Sequence, residues 1–401
     1  MLYKRELLKV LRERVLEKRR FIQVLAGPRQ VGKTTIISQL IEENLIFARS
    51  YSVDAIAGSD ISWIDTVWEG IRSEMNKNGI NDGLLIIDEI QKIANWSEYV
   101  KKNWDEDTKN KVNLKLIVSG SSRLLLQQGL SESLMGRYEL NYLGHWTYQE
   151  MHDVFGFSPE QFVWFGGYPG AADLIEDELR YKSYVQNAII DASINKDVLS
   201  LTRIHKPALL NNLFELGAAY SSQILSYTKI LGQLQEPGNT STLASYTKLL
   251  DQAGLISGLD TFSSKLIKTK ASSPKFQVHN TALISAGQQR EYEAALADPE
   301  FWGRMVESAI GAHLLGITTK DKRFKLFYWR IGNHEVDFVL KGSDTLIGIE
   351  VKSKIAKREP TGIQKFKENF PDASTILISQ DGLDYRQFLT MDVTDIIKCC
   401  H

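Results

Sequence analysis

Gly27-Pro28-Arg29-Gln30-Val31-Gly32-Lys33-Thr34 follows the apolar run Phe21–Ala26 and precedes a helically spaced stretch, residues 34–44. The eight residues fit G-x-x-x-x-G-K-[ST], and their setting between a strand and a helix is the one in which that pattern holds phosphate. Each fixed position has a chemical reason. Gly27 and Gly32 let the backbone curl so that its N–H groups converge on phosphate oxygens. Lys33 brings a point charge to the β- and γ-phosphates, and the Thr34 hydroxyl is a ligand for Mg²⁺. The helix that starts here, with Thr35 in its first turn, adds its positive end. The intervening Pro28, Arg29, Gln30 and Val31 are expected to line the same cradle. Residue frequencies give about one chance match in a hundred chains of this length, and the strand–turn–helix setting lowers that further. ATP with Mg²⁺ is the expected ligand pair.

Working outward, Leu84-Leu85-Ile86-Ile87-Asp88-Glu89 reads as a buried strand ending in two carboxylates. Asp88 is placed to bind the Mg²⁺ shell, and Glu89 to orient and deprotonate an attacking water. The plainer alternative is an acidic helix cap, which the upstream loop makes the weaker reading. LKLIVSG (114–120) is the next strand and should lie beside the loop strand. Ser119 or Ser121 would then face the γ-phosphate; a Ser-rich turn is the other reading. Arg137 is either a finger on a neighbouring subunit's nucleotide or an ordinary surface arginine. With RSYSVD (49–54) and YELNYL (138–143), these runs alternate with helical stretches, the pattern of a parallel sheet covered on both faces.

The bulk properties set limits. Among 401 residues, 43% are hydrophobic and 24% charged, which indicates a water-soluble globular chain of several domains. Lys and Arg number 48 against 49 Asp and Glu, which argues against a surface that coats nucleic acid or membrane as a whole. No apolar run approaches membrane-spanning length, and residues 1–20 read as a charged amphipathic helix with Leu7, Leu8, Leu11, Val15 and Leu16 as its stripe. A cytoplasmic location is the default expectation, with no membrane partner. Cys399 and Cys400 with His401 would offer metal donors, but a terminal tail is the expected reading.

GPRQVGKTT, LLIIDEIQK, VSGSSR and LMGRYELNYL occur in this order, followed by GGYPGA (166–171), FWGRMVESAI and HEVDFVL…IGIEVKS. Together they resemble the prokaryotic AAA-type ATPases fused to a C-terminal restriction-endonuclease-like, PD-(D/E)xK domain. The resemblance covers nearly the whole chain. It implies a multidomain α/β protein: an AAA-type core over 1–145, a helical lid over 146–204, a winged helix over 205–285 and a nuclease-like domain over 286–401. It implies no settled substrate.

The middle and the C-terminus can be read from their residues too. Thr240 or Ser241 is expected to cap a helix whose only cation is Lys248, followed by a wing strand, GLISGLD (254–260), and a stretch holding Lys265, Lys268 and Lys270. DNA contact and protein contact are equally open. Further on, a hairpin folded between Ser343 and Asp344 sets Asp337 opposite Glu350. It puts Glu335, Asp337, Glu350 and Lys352 on one face and Val336, Phe338, Leu340, Ile347, Ile349 and Val351 on the other. Opposed carboxylates repel unless a cation lies between them. Asp337 and Glu350 are therefore candidate metal ligands, with Lys352 as the charge stabiliser and Glu307 as a further acid on the preceding helix. The alternative is a solvated face with a Glu335–Lys352 ion pair.

Two functions are expected from this. One is an ATP-driven enzyme acting on nucleic acid, DNA ahead of RNA, through a metal-dependent phosphodiesterase. The other is a nucleotide-switched regulator whose C-terminal domain binds nucleic acid or a partner without cutting. Either accommodates a homo-oligomer or a separate protein partner.

Overall fold

A computed structural model describes residues 3–53, 62–120, 133–199, 204–233, 239–263, 273–352 and 360–400. Ser121 and the wing lysines Lys265, Lys268 and Lys270 lie outside the described residues, as does His401. The described chain forms two compact units, Met1–Leu143 and Gly144–His401.

The first unit is built on five parallel strands in the order β2-β3-β4-β1-β5. These are β1 (Ile22–Ala26), β2 (Phe47–Ser52), β3 (Gly83–Asp88), β4 (Leu114–Gly120) and β5 (Tyr138–Tyr142). The three inner strands are buried along their whole length, as continuous apolar runs in a doubly covered sheet should be. Alternation sorts their side chains. Leu25, Leu84, Ile86 and Ile117 pack with α1 (Glu6–Leu16) and α2 (Lys33–Glu42). Val24, Leu85, Ile87, Leu116 and Val118 pack with α3 (Ser62–Lys77) and α4 (Trp96–Asn110). β4 pairs with β1, as the sequence led us to expect. Helix α1 stops at Leu16, whose side chain is exposed; Leu8, Leu11 and Val15 carry the buried stripe. Asp107 ties α3 to α4: it is fully buried and accepts from Trp68 Nε1 (2.7 Å) and Arg72 Nε (2.7 Å).

In the second unit, α5 (Tyr148–Phe155) and α6 (Pro159–Phe165) both open with capping boxes, Thr147 with Glu150 and Ser158 with Gln161. A π-helical stretch, Val185–Asp191 and Ser193–Leu199, leads to α7 (Pro207–Ala219), α8 (Tyr227–Gln233) and α9 (Thr240–Gln252). The cap of α9 is Asn239, whose side chain accepts from Thr242 N, and not Thr240 or Ser241. An antiparallel pair follows, β6 (Ile256–Leu259) with β7 (Lys275–Val278).

The long helix α10 (Pro299–Lys320) then enters a four-stranded mixed sheet ordered β11-β10-β9-β8. Its strands are β8 (Lys325–Ile331), β9 (His334–Lys341), β10 (Leu346–Val351) and β11 (Ser374–Ile378), with α11 (Thr361–Asn369) crossing from β10 to the parallel β11. The β9–β10 register is the expected one from Lys341–Leu346 to Phe338–Ile349, but the expected pairs Asp337–Glu350 and Val336–Val351 are not part of it, and Val351 N donates to the Asp337 side chain instead. The clean division of faces is not kept. Phe327 pairs with Val339 but Trp329 with Val336, so β9 carries one extra residue at Asp337-Phe338. Such a bulge turns the strand and re-aims its side chains. Val336 thereby leaves the predicted apolar face and packs with Val339, Trp329 and Phe366.

Candidate nucleotide site and C-terminal carboxylate cluster

The loop between β1 and α2 owes its shape to two backbone conformations. Gln30 has φ 61° and Gly32 φ 94°, both in the left-handed region. Gly27 is required for another reason: a Cβ there would lie 2.1 Å from the carbonyl oxygen of Leu143, just past β5. Lys33 is buried, and its ammonium donates to Gly27 O (2.9 Å) and Pro28 O (2.7 Å). The charge is therefore held inside the curl of the loop.

Two strand ends and the first turn of α2 bring oxygens together beneath it. Thr34 Oγ1 donates to Asp88 Oδ2 (3.0 Å), and Ser119 Oγ donates to Asp88 Oδ1. Asp88 Oδ1 also accepts from Glu89 N (3.0 Å). Asp88 and Ser119 come from the ends of β3 and β4, and Thr34 from the first turn of α2, which the loop after the neighbouring β1 leads into, so residues distant in sequence converge on one point. A hydroxyl–carboxylate–hydroxyl set suits a hard divalent cation that keeps several waters, so the donors present fit Mg²⁺. Glu89 has φ 56° and accepts from Gln91 Nε2 (2.6 Å).

Arg137 is placed elsewhere. Its carbonyl accepts from Ile22 N, at the start of β1, whereas the phosphate loop leaves the strand's other end. Five residues of strand put roughly 15 Å between them. Its guanidinium makes a two-pronged pair with Asp105, at 2.8 and 3.1 Å. Arg137 thus lies at the opposite end of β1 from the phosphate loop.

At the C-terminal cluster, Glu307 on α10 and Asp337 on β9 do come together, as predicted, but around a cation the sequence reading had passed over. Lys275 Nζ is completely buried and lies 2.9 Å from Glu307 Oε1, 3.2 Å from Asp337 Oδ1 and 3.3 Å from Glu335 Oε1. Its ammonium also sits 5.0 Å from the centre of the Phe338 ring. The bulge on β9 explains this: two successive side chains, Asp337 and Phe338, face the same group. Glu335 is paired here and not with Lys352. Burial alone would lower the Lys275 pKa, but Asp337, Glu307 and Glu335 outweigh it and hold it above the ordinary lysine value.

The remaining Asp337 oxygen accepts from Val351 N (2.8 Å). Glu350 gives Oε1 to the Lys352 ammonium at 2.6 Å, while Oε2 is buried without a hydrogen-bond partner. Burial and then the charge of Asp337 push the Glu350 carboxyl up to about 7; burial and Asp337 push Glu307 up to about 8. Burial opposes the charge on Lys352, and Glu350 and Asp337 more than restore it. An orphaned carboxylate oxygen beside a second carboxylate is a donor set that fits a divalent cation. Among the described residues no group of three or more His, Cys, Asp or Glu is arranged to enclose one, Cys399 and Cys400 included.

Residues 19–152 match the family model described as an AAA domain. Residues 157–292 and 302–396 match two domains of unknown function, DUF8612 and DUF4143. No curated protein matches the chain. Among solved structures, PCH-2 of C. elegans is similar over 38% of this chain and 46% of its own, with 12% identity and a TM-score of 0.30. The Thermotoga maritima RuvB Holliday junction branch migration motor is similar over 64% of this chain and 89% of its own, with 16% identity and a TM-score of 0.35. This chain thus spans less than half of PCH-2.

The AAA domain supports ATP binding at the general level of that family. It contains the whole loop, Asp88, Glu89 and Ser119. The C-terminal cluster instead straddles two matched segments: Glu307, Asp337, Glu350 and Lys352 fall in the last, and Lys275 in the middle one. The signal that could have found Lys275 is the tetrad Lys-Phe-Gln-Val (275–278). Its period-2 alternation reads as a half-exposed strand, yet all four residues are buried. Among the described residues no helix is long and apolar enough to cross a membrane.

Proposed function

We propose that this chain is a Mg²⁺-dependent ATPase whose ATP cycle governs a restriction-endonuclease-like C-terminal domain acting on nucleic acid. The observation that carries the ATPase reading is the convergence of Thr34, Asp88 and Ser119 under a loop whose Gly27 and Gly32 meet steric and backbone demands. In this reading the amides of residues 28–34 hold the phosphate chain, and Lys33 gives up two carbonyls for phosphate oxygens. Thr34 and Asp88 hold the Mg²⁺, which when bound would neutralise charge gathering on those oxygens. Ser119 faces the terminal phosphate. Glu89, released from Gln91, takes the proton of the attacking water. Arg137 serves a neighbouring subunit's nucleotide only if it leaves Asp105.

We assign 1–145 to the ATPase core, 146–204 to a helical lid, 205–285 to a winged helix and 286–401 to the nuclease-like domain. The helices α7 to α9 followed by the β6–β7 pair favour the third of these. The mixed sheet with carboxylates on its central strands favours the fourth. There Asp337 and Glu350 would hold a divalent cation, with Glu307 and Lys352 positioning water and charge. The second reading is a nucleotide-switched regulator that does not cut. Lys275 favours it, because an ammonium already occupies the space among Glu307, Glu335 and Asp337.

Two assays test the proposal. Lys33→Ala should abolish ATP binding in calorimetry, and normal binding by that variant would refute the ATP site. Cleavage of single- and double-stranded DNA and RNA, with Mg²⁺ or Mn²⁺ and with or without ATP, separates the two readings. Cutting lost in Asp337→Ala supports the nuclease; the same profile in wild type and variant supports the regulator.

A further inference from the structure

Lys275 is the first residue of β7, and β7 is fixed on both edges. One edge pairs with β6, with Lys275 opposite Leu259. The other meets the turn after α7: Leu225 N donates to Pro274 O (3.1 Å), and Phe276 N to Gln223 O (3.0 Å). Two residues along, on the same face, Gln277 donates to Ser308 O (2.8 Å), one residue beyond Glu307 on α10. The hairpin thus presses Lys275 and Gln277 together against α10, and its ammonium reaches three carboxylates from outside the segment that carries them.

An ammonium in that position has one effect that does not depend on the substrate. It lies within hydrogen-bond distance of Asp337 Oδ1, while Asp337 Oδ2 is taken by Val351 N. Both oxygens of Asp337 are therefore engaged, and the nearby Glu350 Oε2 has no hydrogen-bond partner among the described residues. A divalent cation drawing on both carboxylates would sit only about 4 Å from a fixed positive charge in a poorly screened interior. Among the described residues Glu307, Glu335, Asp337 and Glu350 meet two ammonium groups, Lys275 and Lys352, and Glu350 keeps one buried oxygen that neither satisfies.

We propose that Lys275, delivered by the β6–β7 hairpin, is the resident counter-ion of the C-terminal carboxylate site and competes there with a divalent cation. The site takes up the cation when the hairpin withdraws the lysine. This rests on the reading of Asp337 and Glu350 as cation ligands and adds the device that controls them. The middle segment, by moving β7, would then set whether the C-terminal site is loaded.

The test uses full-length protein without nucleotide in an Asp88→Asn background, which removes the oxygen cluster of the other site. Mn²⁺ binding is followed by electron paramagnetic resonance. Lys275→Met should bind Mn²⁺ at least about a hundredfold more tightly than the parent, the effect of removing a unit charge at such a distance. Adding Asp337→Asn should abolish the gain. Equal or weaker binding by a folded Lys275→Met, while the parent binds, overturns the competition and leaves the cation site standing. No binding by either protein, with Lys275→Met folded, overturns the cation-site reading itself. Because Lys275→Met leaves three carboxylates without their partner and can fail to fold, the parent supplies an independent readout. Lys275 should resist acetic anhydride without metal and become acetylated, by mass spectrometry, as Mn²⁺ is raised. A Lys275 that stays unmodified at every Mn²⁺ concentration overturns the proposal.

Discussion

Replacing Gly27 with alanine adds one methyl group against a backbone atom, so its consequence can be worked through. The added Cβ would lie 2.1 Å from Leu143 O and 3.1 Å from the carbonyl carbon. A carbon–oxygen contact needs about 3.3 Å, so the two segments must part by roughly 1 Å. They cannot part freely, because Leu143 N donates to Ala26 O (2.8 Å) immediately before the glycine, and Leu143 is buried. The strain falls on the loop, which has no strand partners of its own. Overpacking of this kind costs about 1–3 kcal/mol of stability. A displacement of roughly 1 Å in the groups that orient a reacting phosphate costs on the order of 10²-fold in turnover. Gly27→Ala should therefore remain folded in urea titrations while losing about two decades in kcat/KM for ATP. Gly70→Ala is the control. Gly70 lies within α3 with no atom within 4 Å of its added Cβ, so that variant should keep full activity and gain up to about 1 kcal/mol. If Gly27→Ala turns over ATP within about threefold of wild type, the close approach to Leu143 does not position the cradle.

Glu89→Gln should still bind Mg²⁺-ATP in calorimetry but lose about 10²–10⁴-fold in kcat, the usual worth of a positioned base; unchanged turnover would remove Glu89 from the chemistry. Asp107→Ala strips Arg72 and Trp68 of a buried acceptor and should cost about 3–5 kcal/mol in urea unfolding of the N-terminal unit. His313, whose Nε2 lies 2.9 Å from Met391 O, has its pKa lowered to about 4 by burial, from the ordinary 6.5. The folded chain keeps this ring neutral while the unfolded one charges it. Its contribution is thus complete above pH 6.5 and lost as pH falls towards 4, about 3 kcal/mol at most. His313→Gln should flatten that slope in unfolding of the C-terminal unit between pH 7 and pH 4, and an unchanged slope would refute the assignment.

What the sequence made legible was local or strictly periodic. The phosphate loop is eight consecutive residues with a steric reason at each glycine. Asp88 is found because a buried strand ending in a carboxylate must put it at the sheet's edge. The β9–β10 register as far as Phe338 and Ile349 follows from counting outward from the turn. The rest needed three dimensions. The bulge at Asp337-Phe338 has no local signature, since neither residue is Gly or Pro, and it removes Val336 from the face that alternation assigns. Arg137 reads equally as a finger on a neighbouring nucleotide or as a surface arginine, and only strand direction places it at the far end of β1 from the loop. Lys275 lies 62 residues before Asp337, at the end of a Lys-rich stretch that reads as a loop. Only packing against α10 reveals it as a buried cation shared by three carboxylates.

The two sites also differ in how their lysines are held. Lys33 donates to two neutral carbonyls, Gly27 O and Pro28 O. A triphosphate offers it full negative charges in the same buried place, and a charge-assisted bond is roughly twice as strong as one to a neutral acceptor. Exchanging those carbonyls for phosphate oxygens would strengthen the bonds of Lys33. Lys275 rests on three carboxylates, and an incoming phosphate diester, with one negative charge, cannot draw it away. Only another cation can satisfy those oxygens, and it must overcome a lysine held by a paired strand. If ATP turnover controls the C-terminal domain, the control therefore has to reach β7 and displace Lys275. Binding a substrate at Asp337 and Glu350 would not suffice to load the site.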